Sequence, residues 1–180
     1  METLAKTVWA IDPTHSEIQF KVKHLVISTV TGSFKSFEGT LETEGDEFEG
    51  ASIQFSADVN SIDTNMEQRD AHLKSADFFD AVNYPKLTFV STSFTQKSEE
   101  EYVLVGDLTM RGVTKSVTLS ANYGGQMVDF YGNTKAGFEI SGKVNRKEFG
   151  LNWSAVTEAG GVVVSDEVKL HLNVQVAKQG

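Results

Sequence analysis

NMEQRDAHLKSADFF, Asn65 to Phe79, is the stretch that breaks the pattern most of this 180-residue chain follows. Within it Met66, Arg69 and Leu73, with His72 beside them, fall near one face at three- and four-residue spacing, which is the helical period. Asp63, Thr64 or Asn65 can cap the segment, and Glu67 and Asp70 suit the positive end of a helix dipole. The segment ends at Ser75-Ala76-Asp77 and Phe78-Phe79. Asn83-Tyr84-Pro85 is a turn, because the residue before proline avoids the helical region.

Outward from this insert, nearly everything alternates apolar and polar residues. Upstream, His15 to His24 puts Ile18, Phe20, Val22 and His24 on one face and Glu17, Gln19, Lys21 and Lys23 on the other, as a sheet with one wet face requires. Val30 to Leu41 carries Phe34 and Phe37 three apart. A bulge near Lys35-Ser36 would bring both inward and bend the strand. Glu42 to Gly50 reads as an acidic turn, and Ala51 to Val59 faces Ile53, Phe55, Ala57 and Val59 inward. Downstream, strands are expected over Leu87–Thr95, Tyr102–Met110, Ser116–Tyr123, Lys135–Val144 and Glu167–Ala177. Gly124-Gly125 and Ala159-Gly160-Gly161 read as connections and Arg111-Gly112 as a tight turn. About eight strands at hairpin spacing give an all-β domain over residues 1–180. The expected fold is an eight-stranded antiparallel barrel with a short helical insert near one end, and a two-sheet sandwich is the runner-up. Glycines inside strands, at Gly32, Gly39, Gly106 and Gly142, favour strong curvature and so the barrel.

Composition narrows the function. A net charge of −9 argues against a nucleic-acid partner and against docking on anionic headgroups. Cysteine is absent, which removes disulfides, thiolate metal sites and thiol catalysis. No apolar run approaches the roughly 20 residues of a membrane span. The N-terminal METLAKTVWAIDPTHS lacks the apolar core of a signal peptide, so a cytoplasmic protein is expected, or a periplasmic one if the N-terminus is processed. Phe supplies 12 of the aromatics against 4 Tyr and 2 Trp, which favours a greasy interior over a hydrogen-bonding sugar cleft.

Chemistry-bearing constellations are sparse. His15, His24, His72 and His171 show no metal-ligand spacing. His171 points outward by phase, and His24 points inward near a strand end, either as a hydrogen-bonded rim residue or as a polar anchor for a ligand. Arg69, Asp70 and His72 share the helix, but no serine sits in a Gly-x-Ser-x-Gly elbow. Arg69 and Asp70, being adjacent, are expected to point apart and to anchor the helix to the barrel mouth. The glycine pairs lack the lysine of a phosphate loop, Glu99 to Glu101 is a solvated turn, and no carboxylate pair stands out as a glycosidase acid and base. No cofactor is implied.

Four stretches resemble signature segments of the YceI-like, polyisoprenoid-binding proteins: DPTHSEIQFKVKHLVISTVTGSFKSFEGTL (Asp12 to Leu41), SIDTNMEQRDAHLKSADFFDAVNYPKLTFVSTS (Ser61 to Ser93), GDLTMRGVTKSVTL (Gly106 to Leu119) and GFEISGKVNRKEFGL (Gly137 to Leu151). RDAHL…DFFD…YP is the most specific part. The resemblance implies a lipocalin-like barrel enclosing an elongated apolar tunnel for a polyprenyl chain, a prenylated quinone or its precursor, or a fatty amide. It implies no catalytic residues. Many such relatives are exported to the periplasm, some are linked to stress or alkaline growth, and some form homodimers, which an exposed sheet edge could support here.

Three functional classes follow. The first is a protein that carries, stores or sequesters a long-chain lipid. Its expected tunnel residues are Phe20, Val22, Phe34, Phe37, Phe55, Leu104, Leu108, Phe138 and Ile140, with Met66, Leu73, Phe78 and Phe79 at the mouth and His24, Arg69 and His72 as polar contacts to a head group. One bulge would invert several of these phase assignments. The second class is an enzyme acting on a prenylated or quinone substrate, which needs a nucleophile or an acid–base pair facing the tunnel. The third is a filled barrel whose surface binds protein partners.

Overall fold

The computed structural model describes residues 6–24, 27–45, 47–151 and 164–179. Two interrupted strands begin the chain. Lys6–Ile11 (β1) breaks at Asp12 and resumes as Glu17–His24 (β2); Ser28–Phe34 (β3) breaks at Lys35 and resumes as Phe37–Glu44 (β4). Then come Ser52–Asp58 (β5), the two-residue Ile62–Asp63 (β6) and the helix Glu67–Lys74 (α1). Lys86–Gln96 (β7), Glu101–Met110 (β8), Val113–Val128 (β9), Thr134–Asn145 (β10) and Val164–Lys178 (β11) complete the set.

Every pairing is antiparallel, in the order β1-β4-β5-β7-β8-β9-β10-β11, and β11 returns to β1 with Trp9 opposite Lys178. The sheet therefore closes on itself. β2 and β3 extend the first two staves beyond their breaks, with Leu172 opposite Ile18 and Ile18 opposite Phe34. Counted with each interrupted strand as one stave, the ring is a closed antiparallel barrel of eight, just wide enough for side chains or one small ligand. The fold is the lipocalin-like barrel expected from the sequence, not the sandwich.

The two breaks lie side by side, because Ala10 faces Thr40 on one side of them and Ile18 faces Phe34 on the other. The first is a 3₁₀ turn, Pro13–His15. Asp12 accepts from the Thr14 amide at 3.1 Å, the Thr14 hydroxyl at 2.7 Å and Lys135 Nζ of β10 at 2.8 Å, so one carboxylate pins the kink across β11 to the stave beyond it. Lys135 foremost, then Thr14 and His15, hold the Asp12 carboxyl far below the usual carboxylate range. The second break stands where the bulge is expected, at Lys35-Ser36, and is tied to the next stave by the Asp58 amide donating to Ser36 O at 2.9 Å. Strand glycines admit large neighbours: a Cβ at Gly32 would stand 2.3 Å from the Phe20 ring, and one at Gly106 2.3 Å from the Phe89 ring. Each ring lies over bare backbone of the adjoining strand, Phe20 directly opposite Gly32 and Phe89 diagonally across from Gly106, as suits a sheet that curls.

Three expectations need correction. Lys6–Ile11 is a strand of its own, missed because Val8 to Ile11 reads as an unbroken apolar run. Gly124-Gly125 does not open a connection: β9 runs through to Val128, with a register shift opposite Gly137/Phe138 that the glycines absorb. The helix spans Glu67–Lys74, and Ser75 onward is a series of turns. The Ala159-Gly160-Gly161 connection lies outside the described residues.

Candidate functional site

One end of the barrel is closed by rings. Phe48, in the connection before β5, packs Trp9 at 5.3 Å, Tyr123 at 5.3 Å and Phe138 at 5.1 Å between centroids. Phe94 stacks on Tyr102 at 4.7 Å and meets Phe138 at 6.0 Å. The Gly50 amide donates to Phe94 O at 2.8 Å and holds the connection down over the cluster.

The other end carries α1, whose sequence has little apolar periodicity and none of whose residues is buried. A helix this short and polar needs an external anchor. Thr64, 3% exposed and next to β6, supplies it. Asp70 accepts from the Thr64 amide at 2.8 Å and from its hydroxyl at 2.5 Å. Arg69 donates through Nε to the Thr64 hydroxyl at 2.8 Å and through Nη2 to the Thr64 carbonyl at 2.6 Å. Neighbouring Arg69 and Asp70 therefore converge on one threonine instead of pointing apart, because both reach back past the helix start. The N-cap is Met66, which offers no side-chain acceptor, and not one of the three residues expected from the sequence.

Beyond α1, the Phe79 amide donates to Leu73 O at 3.0 Å, turning the Phe78-Phe79 pair back toward the barrel. Arg111 donates to Phe78 O at 2.8 Å. The Phe78 ring lies 5.0 Å from the His72 ring and 6.0 Å from the Arg146 guanidinium carbon. Arg146 opens the 3₁₀ turn Arg146–Phe149 and is 4% exposed. It donates to Ser165 O at 2.9 Å and Leu151 O at 2.6 Å, with Asp166 at 3.9 Å. Burial pulls its pKa below the usual arginine range, and Asp166 opposes that shift.

Between the two ends lies a cavity of about 320 Å³, at the lower bound of small-molecule sites. Its wall on β11 is Val168, Leu170, Leu172, Val174 and Val176. Eight rises of roughly 3.3 Å separate the first from the last, so the lining follows about 26 Å of strand. The hollow is elongated and almost wholly apolar. Among the described residues no Asp or Glu lines it, although the chain holds 25 of them, whereas Arg69, His72 and Arg146 all do.

Most of the sequence-selected residues come together on this wall: Phe20, Val22, Phe34, Phe55, Leu104, Leu108, Phe138 and Ile140 from the strands, and Arg69, His72, Leu73, Phe78 and Phe79 from the helical end. Two do not. Phe37 stacks against Phe55 at 6.1 Å just after the Lys35-Ser36 break, clear of the cavity wall. Met66 points to solvent at 52% exposure, because as N-cap it precedes the helical face it was grouped with. His24 ends β2 opposite Ser28 and Val164, and its side chain lies outside the described residues. His171 pairs with Glu139 at 2.8 Å on the outer surface, as its phase indicates. The β11 wall, Phe89, Phe94 and Arg146 were not selected. The alternation of β11 was legible and pointed to the first of these. Arg146 stands in a polar run, NRKEF, that carries no sign of burial.

A closed eight-stranded barrel with an elongated apolar hollow and a short helix at one end defines the lipocalin-like class. Within that class the match is specific: the YceI-like domain family covers residues 9–176, and the chain belongs to it. Protein YceI of Escherichia coli O157:H7 is 39% identical over 165 residues, 92% of this chain and 83% of that protein. The YceI protein of Campylobacter jejuni superposes with a TM-score of 0.76 at 31% identity, over 89% of this chain and 91% of the other. A Saccharophagus degradans domain, described as polyisoprenoid binding, shares the fold with a TM-score of 0.70 at 16% identity, over 95% and 98% of the two chains.

Proposed function

We propose that this barrel binds a long-chain amphiphile, a polyisoprenoid, prenylated quinone or fatty amide, and carries, stores or sequesters it without chemical turnover. The observation that carries the reading is the elongated cavity whose wall includes five successive inward apolar residues of β11, Val168 to Val176. The polyisoprenoid-binding description of the Saccharophagus degradans neighbour supports it. Each buried CH₂ contributes about 0.8 kcal/mol, so a five-carbon unit contributes roughly 4 kcal/mol before ordering costs. Association costs on the order of 4–15 kcal/mol. Several units must therefore be sheltered together, which an elongated hollow permits and a compact one does not.

The described residues also favour binding over chemistry. Thr14, His15 and Asp12 form a hydroxyl–histidine–carboxylate group, but both partners contact the same ring nitrogen, Nδ1. A nucleophilic triad needs hydroxyl and carboxylate on opposite nitrogens. The group also sits at the β1–β2 break and not on the cavity wall.

The test is native mass spectrometry and solvent extraction of freshly purified protein. A co-purifying or readily acquired prenyl or fatty-chain compound is expected. Protein that carries no lipid and takes up none overturns the reading.

A further inference from the structure

Past the ring-closed end, β9 and β10 run on as a two-stranded arm. β8 begins at Glu101, opposite Asn122, whereas β9 stays paired with β10 as far as Val128 opposite Thr134. The arm therefore projects roughly 15–20 Å beyond the start of β8. Its tip is the most exposed apolar stretch among the described residues. Phe130 is fully exposed, Tyr131 is 90% exposed, and Met127 and Val128 before them are largely exposed. None of the four lines the cavity or joins the core.

The tip is built to present these side chains. The Asp129 carboxylate accepts from the Tyr131 and Asn133 amides, both at 2.9 Å. The Asp129 amide donates to Asn133 O at 2.9 Å, and Gly132, at φ 82°, donates to Asp129 O at 3.1 Å. With the backbone closed on Asp129, Phe130 and Tyr131 stand outward on a fixed turn. Asp129 is the one charged residue from Asn122 to Thr134, and two amides already hold its carboxylate. Apolar and aromatic side chains on a nearly uncharged projection suit the boundary between headgroups and acyl chains of a bilayer. Area and shape favour that occupant over a protein. Two exposed rings offer roughly 300–500 Å², under the roughly 800 Å² that each partner gives to a stable protein interface. A fluid lipid layer closes around a convex tip, whereas a folded partner needs a matching pit. Charge selects the lipid. Glu44, Glu47, Glu49 and Glu99 to Glu101 are exposed at the same end of the barrel, so anionic headgroups are repelled and zwitterionic ones are not.

We propose that the β9–β10 tip is a docking element for a zwitterionic lipid bilayer, with Phe130 and Tyr131 entering below the headgroups and Met127 and Val128 beside them. The inference is independent of the amphiphile-binding reading, because no residue of the tip lines the cavity. The arm leaves from the ring-closed end, so docking there leaves the helical end unobstructed.

The experiment is flotation of the full chain with phosphatidylcholine vesicles. Wild type is expected to float with them. The double substitution Phe130→Ser, Tyr131→Ser is expected to lower partitioning by about tenfold or more, since burial of one ring contributes at least that factor. Replacing part of the phosphatidylcholine with phosphatidylglycerol should weaken binding at low salt, and added salt should restore it. In Phe130→Trp, brominated phosphatidylcholine should quench the introduced indole. Wild type that does not float, a double variant that floats equally well, or binding strengthened by phosphatidylglycerol overturns the proposal, and so does an indole that escapes quenching. If wild type self-associates without vesicles and the double variant does not, the tip serves a second copy of the chain and the assignment falls. Should the double variant not fold, Phe130→Trp and the series of lipid charge still decide.

Discussion

The two ends of this barrel are held by different forces. The closed end is a cluster of six rings, Trp9, Phe48, Phe94, Tyr102, Tyr123 and Phe138, in which non-directional apolar burial does the holding. The helical end is held by directional bonds: Asp70 and Arg69 on Thr64, Arg111 on Phe78 O, Arg146 on two carbonyls. The helix itself buries no residue, and the apolar burial at this end comes from side chains beside it, Phe78, Phe149 and Leu151. On the proposed function the barrel needs one end that can open at low cost, and the end whose helix is held by polar anchors is the one suited to it.

The comparison is broken most severely at the closed end. Phe48 is 4% exposed and contacts three rings, yet it sits in a connection and not in a strand. Phe48→Ala is expected to cost about 3–4 kcal/mol in urea unfolding, the range for truncating a buried Phe. A loss below about 1 kcal/mol would show that the cluster collapses around the gap, and that this end is not the firm one.

Between the ends, Asp12 sharpens the contrast by isolating a polar clip that belongs to the barrel wall. Its partner Lys135 is 13% exposed and Asp12 itself 15%. Asp12→Asn is expected to cost about 2–3 kcal/mol at pH 7, the scale of charge-assisted bonds. The pH dependence has a fixed sign. The folded-state pKa lies below the unfolded value of about 3.9, so the contribution is complete above that pH and fades as pH falls below it. Wild type and Asp12→Asn should therefore differ at pH 7 and converge toward pH 2. A gap that stays constant across that interval would show that the carboxylate charge is not what holds the kink.

The same contrast explains what was legible in the sequence. Period-two alternation marked β2, β5, β8, β10 and β11, because one face of each is wet and the other dry. Most of the cavity wall followed from that phase alone. β1 escaped because Val8-Trp9-Ala10-Ile11 has no polar alternation: Trp9 is packed under Phe48 and Val8 is exposed despite being apolar. For Phe37 the sequence shows the facing but not the place along the barrel. The directional contacts were hidden for a different reason. Nothing in the spacing of Thr64, Arg69 and Asp70 says that both charged side chains reach back to one hydroxyl, and Arg146 is received, once buried, by carbonyls of residues 151 and 165 that lie across turns from it. Periodicity reports which side faces the core; it does not report bonds made across turns.

The smallest global effect is expected where the contrast is most informative. Thr64→Val keeps the shape of the side chain and removes the hydroxyl that Asp70 and Arg69 share. The Thr64 amide and carbonyl retain their bonds to the same two side chains, so neither charged group loses every partner. The local cost is about 1 kcal/mol, one net hydrogen bond. Because α1 can open while the ring of strands stays closed, little of that cost should reach the global transition. Hydrogen exchange is the measurement that separates the two levels. Amides of α1 should exchange several-fold faster in the variant, while those of β8 and β9 keep their protection and the urea midpoint scarcely moves. Equal acceleration in α1 and the barrel strands would show that the helical end unfolds only with the whole domain, and that the two ends form one cooperative unit.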